Sequence, residues 1–469
     1  MTLTSVTASR KKRKFSMSPT KLSALSFLAV IFVGSILLTM PFANKGPVKP
    51  YIDNLFVSVS AVCVTGLTPI TLIDTYNVFG QVVVALLIQI GGLGFLTFLY
   101  FFFNITRRKI SLTNKMVFQE ALNQDNLRQL PRILKTIFIY TGTVEGIAAI
   151  IWGVALYPKY GLGTSIYYGI WHAISGFCNA GFDLLGSNSL INYQNNFLIN
   201  FVACAEIILG GIGFFVVLDI HDKIKQEKSR RCQFSMKRFL HSLSLHTKIV
   251  LIMTATLLIG GTVFFLIFEF NNPKTIGHMS LPWKIGTSFF QSTTTRTAGF
   301  ATVSMYDCTT ASKILMSILM FIGGSPASTA GGIKTVTFAL CALMVLSVYR
   351  GSDEVVFKGR RIKKRTILRA FSVFLLGLTA CVLGMMIISI SDPDLLLPNI
   401  MMEVFSAFGT VGLSASVTPT LSVVGKCVIM ILMYTGRIGP VSLILLFARK
   451  SQNRAKKEIR YPDEDVIVG

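Results

Sequence analysis

Charge is scarce in this chain of 469 residues. Only 14% of them are Asp, Glu, Lys or Arg, where ordinary soluble domains carry about 25%. Acid is scarcer than base, with 21 carboxylates against 45 Lys and Arg. A mean hydropathy of +0.62 and 52% hydrophobic residues exclude a water-soluble globular protein and describe a polytopic membrane protein. Histidine is rare too. His172, His221, His241, His246 and His278 share no zinc-binding spacing, and no Ser/His/Asp or paired-Asp motif lies in the apolar stretches. An intramembrane enzyme therefore lacks its chemistry. Eight cysteines, Cys63, Cys178, Cys204 and Cys381 among them, are scattered singly, without metal-ligand spacing or a disulfide framework. The basic segments contain no strand–glycine–helix unit, so any control by nucleotide must come from another protein.

The net charge of +24 is distributed in a way that argues against nucleic acid. Five blocks hold 35 of the 45 basic residues: 10–21, 107–135, 223–248, 350–369 and 449–460. Each lies between apolar stretches or near an end of the chain. The positive-inside rule puts all five, and both termini, in the cytoplasm, where membrane lipids are their ordinary partners. The apolar run 22–42 is too long for a signal peptide and has no small-residue cleavage site before Lys45, so it reads as a retained first span.

About 20 apolar helical residues cross a bilayer core. The candidate spans are 22–42, 78–103, 133–156, 197–218, 249–270, 311–348 (interrupted), 366–390 and 423–447. Keeping every basic block inside pairs these spans, two per unit. Between the members of each pair lies an apolar piece too short to cross: 54–63, 166–178, 285–295 and 399–408. Each must leave on the side it entered, as a re-entrant helix. The expected fold is all-α: four units of helix, re-entrant pore helix, irregular segment and helix, around one central pore. The units run 21–104, 105–220, 221–349 and 350–449, between basic tails at 1–20 and 450–469. Irregular backbone at membrane depth must be enclosed by protein or line water, so the four irregular segments meet in the centre.

Those segments repeat. They read Val64-Thr65-Gly66-Leu67, Asn179-Ala180-Gly181-Phe182, Thr297-Ala298-Gly299-Phe300 and Thr410-Val411-Gly412-Leu413, with glycines 115, 118 and 113 residues apart. A hydroxyl stands six residues before each glycine, at Ser60, Ser175, Thr293 and Ser406. Glycine reaches positive φ without a Cβ penalty, so four in register leave a ring of bare carbonyls. The C-terminal ends of the four re-entrant helices aim partial negative charge at the same place. Both features favour a cation. A second repeat marks the later span of each unit: Gly91-Gly92-Leu93-Gly94, Gly210-Gly211-Ile212-Gly213, Gly323-Gly324-Ser325-Pro326 and Gly436-Arg437-Ile438-Gly439. In the first two units it reads as close helix packing through small residues.

Together the four segments resemble the filters of the Trk/Ktr/HKT superfamily, and most closely those of the membrane subunits of bacterial Ktr potassium uptake systems. The resemblance runs from about Lys21 onward. It implies a potassium-channel-like fold in one chain, potassium as the transported ion with no other cofactor, and sodium as a possible activator. It also implies a homodimer on a cytosolic ring of nucleotide-binding regulatory subunits. In that family serine at the first filter glycine accompanies sodium transport; Gly66 here supports potassium. The filter assignment comprises Val64, Thr65, Gly66, Asn179, Ala180, Gly181, Thr297, Ala298, Gly299, Thr410, Val411 and Gly412.

In the third unit, Gly323-Gly324-Ser325-Pro326-Ala327-Ser328-Thr329-Ala330-Gly331-Gly332 cannot hold a rigid helix. It falls about 18 Å into the span at 1.5 Å per residue. We expect a mobile loop beneath the filter, the intramembrane gate that the resemblance also implies. Arg437, deep in the last span, is a costly charge that either pairs with a carboxylate such as Glu206 or donates to loop carbonyls. Arg296 and Glu403 lie in re-entrant segments of adjacent units and are expected to form an ion pair bracing the filter, with Asp183 as an alternative partner for Arg296. Glu145, Glu206 and Glu269 occur on different spans without a matching set, unlike the carboxylates of a proton-coupled carrier. The apolar end Val466-Ile467-Val468-Gly469 is a candidate contact in a dimer.

Overall fold

The computed structural model describes residues 19–94, 130–229, 235–352 and 354–439. Most of three basic blocks, 10–21, 107–135 and 449–460, and the C-terminal segment 463–469 lie outside the described residues. The described residues are mostly helical. Two-residue strands, Val356–Phe357 and Arg360–Arg361, pair as a small hairpin between the third and fourth units.

Each unit contains an outer helix, a pore helix and an inner helix. In unit 1 these are Pro19–Thr39, Tyr51–Cys63 and Val78–Leu93. In unit 2 the outer and pore helices form one stretch, Leu130–Phe177, interrupted at Gly161 where φ is 71°; the inner helix is Phe197–Gly211, continued by Phe214–Lys228. Unit 3 has Leu245–Glu269, Leu281–Thr294 and the broken inner pair Thr310–Phe321 and Thr335–Tyr349. Unit 4 has Lys364–Ser391, Leu397–Gly409 and Val423–Ile438.

Local sequence explains where these helices begin. All four inner helices start at a side chain that accepts from the first turn: Asn77 from Gly80 N, Asn196 from Ile199 N, Thr309 from Ser312 N and Ser422 from Gly425 N. Such caps satisfy amides that no helical carbonyl can reach. Proline occupies the first turn of the pore helices in units 3 and 4, where its missing N–H costs nothing.

Burial sorts the helices into two layers. The pore helices are enclosed, with Phe56 through Val64 and Met402 through Val411 almost wholly buried. The outer helices expose apolar side chains such as Val33, Ile150, Ile259 and Leu375, an arrangement that suits lipid and not water. The protein is an all-α, multi-pass membrane protein.

The inner helices differ from the expected spans. Three described helices are long and apolar enough to cross a membrane outright: residues 132–177, Leu245–Glu269 and Lys364–Ser391, the first including the interruption at Gly161. The inner helices of units 1 and 4 stop at Leu93 and Ile438, each followed by a glycine of positive φ, Gly94 at 81° and Gly439 at 92°. The span expected at 197–218 instead turns by 90° around Gly213. A glycine of positive φ thus ends the described inner helix in units 1 and 4 and stands at the bend in unit 2; the rest of the spans expected at 78–103 and 423–447 lies outside the described residues.

Candidate functional site: an ion pathway

The four filter segments meet, and their contacts close a ring. A Cβ on Gly66 would collide with Ala180 O, one on Gly181 with Ala298 O, one on Gly299 with Val411 O, and one on Gly412 with Thr65 O. Each glycine thus lies against the carbonyl of the following unit, and the fourth lies against the first. No other residue type can make this approach four times.

The backbone repeats the same conformation in every unit. The glycines have φ of 92°, 68°, 88° and 100°. Two residues earlier, Val64, Asn179, Thr297 and Thr410 also have positive φ, between 52° and 65°. Three of these are β-branched, for which the left-handed region costs about 1 kcal/mol or more. The intervening Thr65, Ala180, Ala298 and Val411 keep negative φ. Alternating hand cancels the two-residue alternation of an extended strand and turns successive carbonyls toward one side. Sequence reasoning missed the left-handed position because only Asn179 carries a residue that tolerates it readily.

The hydroxyls hold these segments in two ways. Ser60 Oγ accepts from Gly66 N and Ser406 Oγ from Gly412 N, both at 3.0 Å. Ser175 Oγ instead donates to Phe182 O at 2.6 Å. In unit 3 the expected Thr293 turns back onto Phe289 O, and Thr294 donates to Phe300 O at 2.6 Å. The register explains this correction. Thr65 N, Ala180 N and Val411 N bond to carbonyls five residues back, whereas Ala298 N bonds to Thr294, four back. Unit 3 turns into its filter one residue sooner, so counting from the glycine selects the wrong threonine.

The expected ion pair between Arg296 and Glu403 is not formed. Glu403, wholly buried, accepts from Ser414 Oγ at 2.7 Å and from Thr418 Oγ1, so it holds the loop that leaves its own unit's filter. Arg296 is 5% exposed and its Nη1 has no hydrogen-bond partner. Asp183 does not pair with it either; its carboxylate accepts from Leu185 N at 2.9 Å. Three carboxylates elsewhere are held by neutral donors: buried Glu206 by Trp152 Nε1, buried Glu269 by Asn272, Thr275 and Thr309, and half-buried Glu145 by Gln89.

On one side of the ring lies a cavity of about 660 Å³ lined by all four filter glycines and the residues that follow them. On the other side lies the loop between the two halves of the unit 3 inner helix. Gly323 N bonds to Ile333 O and Thr335 N to Gly324 O, so the broken ends stay together and the loop bulges from between them. It docks on the bend of unit 2: Ser325 N donates to Gly211 O, Thr329 N to Gly210 O, and Phe214 N to Ala327 O. Pro326, Ser328 and the glycines complete a segment that touches the filter itself. Gly331 packs on the Thr410 side chain, Gly332 on Gly409, and Gly323 on Thr297. Asn179 joins these parts, its Nδ2 donating to Arg296 O and its Oδ1 accepting from Thr329 Oγ1.

Arg437 takes the carbonyl option, not Glu206. It donates to Thr329 O in the loop and to Gly91 O and Gly92 O at the end of the unit 1 inner helix. The helix end supplies the acceptors because its last carbonyls have no helical partner. Lys334 likewise turns onto the loop, donating to Ala330 O. The first glycine of the inner-helix repeat does pack closely in three units: Gly91, Gly210 and Gly436 each lie against a pore-helix carbonyl of their own unit, Val62, Phe177 and Phe408.

The profile of the TrkH cation transport protein family matches residues 3–457. The chain belongs to this family. Relatives agree: the potassium/sodium uptake protein NtpJ of Enterococcus hirae is 37% identical over 99% of this chain and 100% of its own length. The Ktr system potassium uptake protein B of Bacillus subtilis is 38% identical, over 96% and 97%. Among solved structures, the potassium transporter TrkH of Vibrio parahaemolyticus matches with a TM-score of 0.66 at 17% identity, covering 94% of this chain and 86% of that one; at that identity the likeness concerns the fold. The protein is thus a cation transporter of the TrkH family and not an enzyme.

Proposed function

We propose that this chain is a potassium uptake protein whose ions lose their water at the ring formed by Gly66, Gly181, Gly299 and Gly412. The closure of that ring, each glycine against the next unit's carbonyl, is the observation that carries the reading. Carbonyl oxygens there, with those of Thr65, Ala180, Ala298 and Val411, replace the hydration shell, and Gly66 favours potassium over sodium. The segment from Gly323 to Gly332 acts as the gate, latched by Arg437. Moving it requires breaking hydrogen bonds to units 2 and 4 but no rearrangement of the filter glycines. By its likeness to Ktr proteins, the chain works as a homodimer on a cytosolic ring of nucleotide-binding subunits, with both termini cytoplasmic and sodium as activator.

Radiolabelled rubidium uptake into liposomes containing the purified protein tests this reading. Concentrative exchange that excess potassium abolishes and excess sodium barely reduces is the expected result. Equal competition by both ions, or no flux above protein-free liposomes, rejects it.

A further inference from the structure

The ring one step outside the filter breaks the four-fold pattern. Two residues after each filter glycine stand Thr68, Asp183, Ala301 and Ser414, and all four line the 660 Å³ cavity. Asp183 is the one charged side chain on its wall among the described residues. Its geometry matches a neighbour's: Leu185 N donates to Asp183 Oδ1 just as Ile70 N donates to Thr68 Oγ1. A hydroxyl therefore satisfies the turn equally well, and the turn by itself does not call for a carboxylate.

We infer that Asp183 and the oxygen-lined vestibule around it form an outer site that collects a hydrated monovalent cation before it enters the ring. A single charge in a concave, partly enclosed space raises the local concentration of counter-ions and so their rate of capture. One carboxylate on the wall, in place of a ring of four, attracts the ion without trapping it. The proposal rests on the uptake reading above and adds to it the residue that governs capture at low external concentration.

Asp183→Asn keeps an acceptor for Leu185 N and removes the charge. The half-saturation concentration for rubidium is expected to rise about threefold at low ionic strength, with maximal flux unchanged. At high ionic strength, added as an impermeant salt, the difference shrinks because the charge is screened. The double variant Asp183→Asn with Thr68→Asp moves the carboxylate to the equivalent turn and should recover most of the lost affinity. An unchanged half-saturation in Asp183→Asn overturns the proposal. So does a raised value that the relocated carboxylate leaves unrepaired, since that marks a local structural role. Failure of the uptake reading looks different: no flux from the wild type. In that case equilibrium rubidium binding to the detergent-solubilised protein decides, with weaker binding by Asp183→Asn supporting the site and equal binding rejecting it.

Discussion

Units 1 and 4 form one half of the ring and units 2 and 3 the other, and the two halves are braced differently. In the first half a serine accepts from the filter glycine, and the residue after the glycine is leucine, Leu67 or Leu413. In the second half a hydroxyl donates to the carbonyl of a phenylalanine, Phe182 or Phe300. The seams differ as well. Units 4 and 1 are joined by an ion pair, Lys426 with Asp53 at 2.7 Å, and by Tyr434 Oη donating to Ala24 O. Units 2 and 3 are joined through backbone and amide, with Leu190 N on Ala301 O and Asn179 on Arg296 O. A hydroxyl both donates and accepts, so one residue type serves both modes. Pseudo-symmetry is kept in the backbone dihedrals and relaxed in the side chains that support them.

The largest test of this comparison is in the ring. Gly66→Ser puts a side chain where Ala180 O lies, across the seam between the halves. The rubidium-to-sodium flux ratio is expected to fall about tenfold, as a loss of ~1.4 kcal/mol in discrimination would produce. An unchanged ratio would show that the first filter does not set selectivity.

Next comes the latch. Arg437 reaches from one half to a loop docked on the other, so Arg437→Gln should free the loop and raise rubidium flux about fivefold, the effect of losing ~1 kcal/mol of closed-state stabilisation. Deleting residues 325–329 should act in the same direction. Flux that stays at the wild-type level in both variants removes the loop from gating.

The smallest effect sharpens the register. Thr294→Ala should lower thermal stability by about 1 kcal/mol, the worth of a buried hydrogen bond, while Thr293→Ala should cost clearly less. Ser60→Ala and Ser406→Ala free a glycine amide and should shift selectivity more than Ser175→Ala does. Equal effects from all three serines would mean that the halves are energetically alike.

Much of this was legible in the sequence. The four glycines, the short helical pieces at 54–63, 285–295 and 399–408, and the glycine-rich break after Phe321 stand where they were expected, while 166–178 continues the stretch Leu130–Phe177 past the interruption at Gly161. The breaks at Gly94, Gly213 and Gly439 were harder to read, because hydropathy continues through them and glycine at close contacts looks the same as glycine at a turn. The pairing of Arg296 with Glu403 was expected from sign alone. It failed because Ser414 and Thr418 occupy Glu403, while Arg296 stands beyond the end of its pore helix, which stops at Thr294.

By itself the sequence determined that four alike, apolar units must enclose four glycine segments. Apolar spans cannot sit in water, short ones cannot cross a bilayer, and unpaired backbone cannot face lipid. Tertiary structure alone decided which oxygen each hydroxyl serves, which carbonyls Arg437 holds, and that Asp183 stands unmatched on the vestibule wall. Those choices depend on angles and distances between units, which residue order along one chain does not encode locally.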